Sequence, residues 1–296
     1  MNQFSTRDGV VVGVDIGGTK IAAGLVNHDG EIISRTRVPM VANGEAAIGL
    51  SAVISAIDSL SSTATPEPKI RPLIRAIGIC SPGPLDPITG VVINPPNLPC
   101  WRNFPLAAEI AKVYRLPVKV DNDANAAALA EARWGAGRGY RNVFYAAIGT
   151  GIGTGIVFDG RIHHGRTGAA AEGGHLSIDY RGPICGCGKP GCIEVFASGP
   201  AIAKRAHTKL AADHTRRSTI LELANGSVDV TSEMVGKAHV GVIPRYGSVA
   251  GDGRILGTLA GKHCGPARAR RGDHWWRGSF YAHSLFRRTP KSASEL

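Results

Sequence analysis

Between Glu172 and Glu194 the chain places one histidine, three cysteines and two glutamates within 23 residues. Four of these, His175, Cys185, Cys187 and Cys192, are natural zinc ligands. A Cys3His set closes a tetrahedral shell and leaves no open position, which predicts a structural ion that clamps a loop. The glycines at 186, 188 and 191 are expected to let the chain turn tightly enough for three thiolates to reach one ion. Clustered cysteines beside a histidine, behind an N-terminus without a secretory leader, favour a metal over a disulfide.

A second set of polar groups follows Val118–Val120, where the sequence reads D-N-D-A-N-A-A-A-L-A-E-A. Polar residues that end a strand and run into an alanine-rich helix describe a site at the C-terminal edge of an α/β sheet. Phosphoryl transfer to a hydroxyl needs a carboxylate to take the hydroxyl proton, and Asp123 is read as that general base. Asn122 would orient the acceptor. Helix N-capping would use one of Asp121, Asn122 and Asp123, but not all three.

Two Gly/Thr turns complete the chemistry. The first, D-I-G-G-T-K, spans Asp15 to Lys20, and the second, G-T-G-I-G-T-G, starts at Gly149. Such turns offer bare backbone N–H groups and a hydroxyl to a phosphate. Asp15, at a strand end, could hold Mg2+ through water. The spacing before Lys20 is not that of a Walker loop. Each turn leads into a second strand and a D-G turn, so the two units imply a duplicated fold with a nucleotide between the halves. Asn97 lies in the proline-braced stretch N-P-P-N-L-P. Its amide suits a polyol hydroxyl, and turn chemistry alone would explain it equally well.

The elements that must position these groups can be read in order. Strands are expected at 10–14, 21–26 and 31–38, an amphipathic helix at 43–60, then a polar, proline-containing linker. A strand at 74–79 enters C-S-P-G-P-L-D, a helix follows near 105–114, and a strand at 143–148 precedes the second glycine turn. Helical sequence then continues to about residue 240. The expected division is an N-terminal α/β domain, residues 1–117, with the first phosphate loop. A C-terminal α/β domain, 118–296, would hold Asp123, the second loop and the zinc motif, with 241–296 atypical.

The net charge of +11 is unevenly spread. Residues 241–296 hold ten Lys and Arg against three acids, so seven of the eleven charges lie there. That distribution argues against a nucleic-acid surface on the body of the chain. No apolar run approaches the ~20 residues that span a bilayer, so no membrane association is expected, and the location is read as cytoplasmic.

Taken together, D-I-G-G-T-K, S-P-G-P-L-D, N-D-A-N-A-A, the G-T-G-I-G-T-G loop, E-G-G-H and C-G-C-G-K-P-G-C-I-E resemble the ROK family of sugar kinases and related repressors. The resemblance covers roughly residues 9–240. It implies the two-domain actin-like/hexokinase (ribonuclease H-like) α/β fold, with ATP and sugar in the cleft between domains. It also implies ATP-dependent phosphorylation of a hexose, foremost glucose to glucose 6-phosphate. N-acetylglucosamine or N-acetylmannosamine are the alternative acceptors, and a sugar-binding regulator or inactive kinase remnant is the alternative class. By the same resemblance Asp123 is the catalytic base. Asn97, Asn122, Asp123, Glu172, His175 and Glu194 contact the sugar. Asp15, Gly17, Gly18, Thr19, Lys20, Gly149, Thr150 and Gly151 serve Mg-ATP, and His175 also ligates structural zinc. Family members tend to homodimers or homotetramers. Repressor members carry a helix-turn-helix before the first strand, and about nine residues precede it here, which favours the kinase reading.

After about residue 240 the family pattern stops. A helix and a Gly-Gly-Gly turn for the adenosine are expected, and the chain reads L-A-G-K-H-C-G-P-A-R-A-R-R-G-D-H-W-W-R-G-S-F. Tryptophan has a single codon. Shifted by one base, His-Trp-Trp-Arg permits Ile-Gly-Gly-Gly, and Lys-His-Cys permits Asn-Ile-Val. In the same frame Gly265 through Asp273 permits Asp-Leu-Leu-Glu-Pro-Asp-Val-Val-Ile. The expectation is a frameshifted tail, basic by accident of translation.

Overall fold

Alternating apolar residues build the first sheet. The computed structural model describes residues 9–63, 73–212, 218–224, 229–242 and 280–281. In β1 (Val10–Ile16), Val10, Val12, Val14 and Ile16 are buried, while Val11 and Asp15 face outward. This two-residue period is what one covered sheet face dictates. β1 runs antiparallel to β2 (Lys20–Val26), and β2 to β3 (Ile32–Pro39). α1 (Ala46–Thr63) follows and buries Val53, Ala56, Ile57 and Leu60, a helical spacing.

β4 (Ile74–Ser81) pairs parallel with β1. The short strands β5 (Leu85–Asp86) and β6 (Val91–Val92) form a separate hairpin. α2 (Leu106–Tyr114) precedes β7 (Val118–Asn122), which pairs parallel with β4. The five-stranded sheet thus has the order β3-β2-β1-β4-β7. Its core joins the inward residues of the sheet to α1, α2 and Trp101.

α3 (Asp123–Arg133) leads to β8 (Asn142–Ile148), β9 (Ile152–Phe158) and β10 (Arg161–Ile162). A 3-10 turn, Gly173–His175, and α4 (Ile193–Ala197) carry the ends of the Cys/His stretch. α5 (Gly199–Ala212), α6 (Thr219–Leu223) and α7 (Ser232–Val242) follow. Their apolar faces bury Ile202, Ala206, Ile220 and Val235 with Ile148, Ile152 and Ile193. β11 (Phe280–Tyr281) pairs antiparallel with β8, giving the sheet order β10-β9-β8-β11.

Two compact units result. One holds the chain up to Ala127 plus His164–Ala170, and the other holds Ala128–His163 and the residues from Ala171 on. The proline-containing linker, at 64–72, lies outside the described residues, as does the tail read as a shifted frame, apart from β11 and residues 241–242 at the end of α7. No helix among the described residues is long and apolar enough to cross a membrane.

Candidate active site and metal centre

The parallel register of the first unit sets a polar row across three strand ends. Asp15 of β1 lies opposite Cys80 of β4, and Cys80 lies opposite Asp121 of β7. In-register parallel neighbours share a face, so the three side chains line up at the C-terminal edge of the sheet. The row is electrostatically tense. Burial pushes the Cys80 thiol up to about 12, and the charges of Asp15, Asp123 and Asp121 add to the shift. Asp15 reaches solvent, yet burial raises its carboxyl above the usual aspartate range. The neighbouring Asp123 charge raises it further, and Lys20 pulls it back.

β7 turns directly into α3, and all three polar residues of the junction bond backbone N–H groups. Asn122 Oδ1 accepts from Ala124 N at 2.9 Å and from Asn125 N at 3.4 Å, so Asn122 is the N-cap. Asp123 Oδ1 also accepts from Ala124 N, at 2.8 Å, and Asp121 Oδ1 accepts from Asn122 N at 2.8 Å. Local hydrogen bonding is therefore spread over the three residues. Burial lifts the Asp123 carboxyl, while its backbone hydrogen bonds pull the other way. A raised carboxyl is a stronger base, the direction proton abstraction needs.

The first glycine turn closes with Gly17 N donating to Lys20 O at 2.9 Å, and Met40 N donates to Thr19 O at 3.0 Å. A Cβ on Gly18 would stand 2.9 Å from Asn97 O. The loop bearing Asn97 thus lies on the glycine turn, and only a bare backbone permits that approach. Asn97, Thr19 and Lys20 are all exposed.

In the second unit, β8 and β9 form a hairpin around Gly149–Gly151. Gly149 N donates to Gly151 O at 2.9 Å, and Gly199 N at the start of α5 donates to Gly149 O at 2.8 Å. Glu194 Oε2 accepts from Ile152 N at 2.8 Å. Thr150 at the tip is exposed. Glu172 precedes the 3-10 turn, is exposed, and accepts His175 N on its carbonyl at 3.1 Å.

The four expected metal ligands converge. Their ligand atoms all lie within 4.8 Å of one another. Cys187 Sγ is 3.6 Å from Cys192 Sγ, and Cys185 Sγ is 3.6 Å from His175 Nδ1. Tetrahedral zinc with Zn–S near 2.3 Å sets ligands about 3.8 Å apart, so the donor set and its spacing fit that ion. Gly188 and Gly191 take left-handed backbone, and Gly186 does not. A Cβ on Gly191 would fall 1.7 Å from Asp179 O, so no other residue fits there.

Of the residues read from sequence, Asp15, Gly17–Lys20, Asn97, Asn122 and Asp123 belong to the first unit. Gly149–Gly151, Glu172, His175, Glu194 and the three cysteines belong to the second. Sequence reasoning passed over His164, whose Nε2 lies 2.7 Å from Asp121 Oδ2. It also passed over Thr154, whose hydroxyl donates to Ala171 O and accepts from Gly173 N at 2.9 Å. The first pair is 43 residues apart, and no local pattern announces it.

The ROK family model matches residues 11–240. The chain belongs to the ROK family. Within it the chain is of the sugar-kinase kind. It is 38% identical over 239 residues to a glucokinase of Streptomyces coelicolor, covering 81% of this chain and 71% of that protein. It is 34% identical to the xylose repressor of Bacillus spizizenii, covering 70% of this chain and 52% of that protein. Its fold matches the crystal structure of a ROK family glucokinase from Streptomyces griseus in complex with glucose and AMPPNP. The TM-score is 0.66 at 35% identity, over 85% of this chain and 76% of that one. The α/β fold is thus the actin-like/hexokinase fold of the ROK kinases.

Proposed function

We propose that this chain transfers the γ-phosphoryl group of ATP to a hydroxyl of glucose, giving glucose 6-phosphate. The observation that carries the reading is Asp123 at the β7–α3 junction, its carboxyl raised by burial beside a capped helix start. Similarity to glucokinases, one of them solved with glucose and AMPPNP, supports glucose as acceptor.

In this mechanism Asp123 accepts the proton of the 6-hydroxyl as the hydroxyl oxygen attacks the γ-phosphorus in line, the bond from that phosphorus to the β,γ-bridging oxygen breaks, and ADP leaves. Asn122 holds the acceptor, and Asn97, Glu172, His175 and Glu194 bond the other hydroxyls. The backbone N–H groups of the two glycine turns stabilise charge on the phosphates. Asp15 is the residue that would hold Mg2+ through water, and that ion would neutralise phosphate charge when bound. His175, Cys185, Cys187 and Cys192 would hold zinc as a structural clamp.

A coupled ADP-release assay on the full chain tests the proposal, with glucose, N-acetylglucosamine, N-acetylmannosamine and fructose as acceptors. Turnover fastest on glucose is expected. Preference for an N-acetylhexosamine would move the substrate. Sugar binding without ADP release would favour the second reading, a sugar-responsive regulator, which the xylose-repressor similarity supports.

A further inference from the structure

His164 approaches the β7–α3 junction from a different stretch of the chain. Its Nε2 lies 2.7 Å from Asp121 Oδ2. A carboxylate only accepts, so the histidine nitrogen is the donor and the tautomer is fixed with the proton on Nε2. The pair is partly shielded, with side-chain exposures of 32% for His164 and 21% for Asp121. The other oxygen of Asp121 is taken up by the junction itself. It accepts from Asn122 N at 2.8 Å and from Asn125 Nδ2 at 3.0 Å. One carboxylate therefore has the histidine on one oxygen and the turn carrying Asn122 and Asp123 on the other.

The histidine is itself held in place. Ala170 N donates to His164 O at 3.1 Å and closes the segment into a short strap. Gly168 sits in that strap at φ +86, where a Cβ would meet Pro87 Cδ at 2.8 Å. The strap thus packs onto the β5 turn with a backbone that only glycine adopts without strain. A charged acceptor bonded from a fixed donor is about twice as strong as a neutral pair, and it is directional.

We propose that His164 is a positioning residue, which through Asp121 fixes the turn that presents Asn122 and Asp123. The role deepens the kinase reading, because it rests on Asp123 as the base. His164 acts without touching substrate. Removing it releases one oxygen of Asp121, lets the carboxylate rotate, and loosens the Asn122 and Asn125 bonds together. His164 also lines a pocket of about 290 Å³ with Asp86, Pro87 and Ile88. Truncation there widens existing open space and opens no hole in the core, so His164→Ala is expected to fold.

The test is amide hydrogen exchange on the full chain. His164→Ala should speed exchange at Asn122, Ala124 and Asn125 by about tenfold, with the amides of β1 unchanged. His164→Gln, which keeps a donor, should return the three amides to near the parent rate. In an Asp121→Asn background, His164→Ala should add little, because the two act through one bond. Parent-like exchange in His164→Ala, acceleration that extends to β1, or a full additive effect on Asp121→Asn overturns the proposal. In the coupled assay, His164→Ala should lower kcat by about tenfold or more with KM for ATP unmoved, the signature of a misplaced base. A parent chain without turnover would count against the kinase reading, and the exchange result would still decide the role of His164.

Discussion

Glu194 Oε2 accepts the Ile152 N–H at 2.8 Å, which joins the Cys/His stretch to the root of the second glycine hairpin. Cys192 immediately precedes α4, Glu194 lies in its first turn, and Cys185 Sγ stands 4.0 Å from Glu194 Oε1. Gly199, just past α4, donates to Gly149 O. One end of the Cys/His cluster and two anchors of the second glycine hairpin therefore meet at one short helix. A five-residue helix has too few internal hydrogen bonds to stand alone, so it depends on the burial of Ile193 and Ala197 and on the Cys/His cluster at its start.

Metal removal should propagate along that path. The purified chain is expected to carry about one zinc, because the four donors form one closed shell. Stripping it with a chelator should lower the melting temperature and speed amide exchange at Ile152 and Gly199. Metal-free protein with an unchanged melting temperature and unchanged Ile152 exchange would show that the clamp does not govern the loop.

The carboxylate pair gives a pH prediction with a definite sign. Burial raises the Asp123 carboxyl, and Asp15 is raised by burial and by the Asp123 charge. A group whose folded value is raised binds its proton more tightly when folded. Its stabilisation is complete below the ordinary aspartate value of about 3.9 and is lost as pH rises through the folded value. At neutral pH the ionised pair therefore works against folding. Asp123→Asn should abolish turnover, leave sugar binding largely intact, and raise the melting temperature at pH 7. The gain should shrink toward nothing below about pH 4. A variant that turns over near the parent rate would remove Asp123 as the base, and one that melts lower at pH 7 would contradict the electrostatic account.

The sequence revealed what is local. The alternation in Val10–Ile16, the helical spacing through Leu60 and the junction after Val120 all follow from side-chain periods. The Cys/His cluster was legible because Cys185, Cys187 and Cys192 lie close together in sequence, and the structure gathers them with His175. What escaped was long-range pairing. The Asp121–His164 bond and the Glu194–Ile152 bond depend on strand register and loop packing, over separations of 43 and 42 residues. Capping falls on Asn122, one of the three residues as expected. Side-chain length allows Asp121, Asn122 and Asp123 to bond different or shared N–H groups at once.

Trp101 is the residue on which the loop of Asn97 is anchored. It is fully buried, stacks on Phe104 with ring centroids 5.3 Å apart, and donates from Nε1 to Ala46 O at 3.2 Å. Its backbone N–H bonds Leu98 O at 3.0 Å, one residue past Asn97. Trp101→Ala should cost about 3–5 kcal/mol in denaturant unfolding, the range for emptying a large aromatic site. A loss near 1 kcal/mol or less would mean the surrounding residues collapse into the space.

The family match stops at residue 240, where the change in sequence character also begins. The coding DNA should contain a one-base shift near codon 240 whose reversal replaces H-W-W-R with a glycine-rich turn. The two tryptophan codons fix two of those glycines, so degenerate codons cannot supply them by choice. A chain made from the corrected frame should bind ADP more tightly than the present one, since the turn is the part expected to receive adenosine. The zinc content of both should be equal, because every metal ligand lies before residue 193. If no single-base shift restores the turn, the tail is encoded as it stands. Its excess of ten basic residues over three acids would then require a partner of its own, and salt-sensitive binding to DNA or RNA would be the measurement to make.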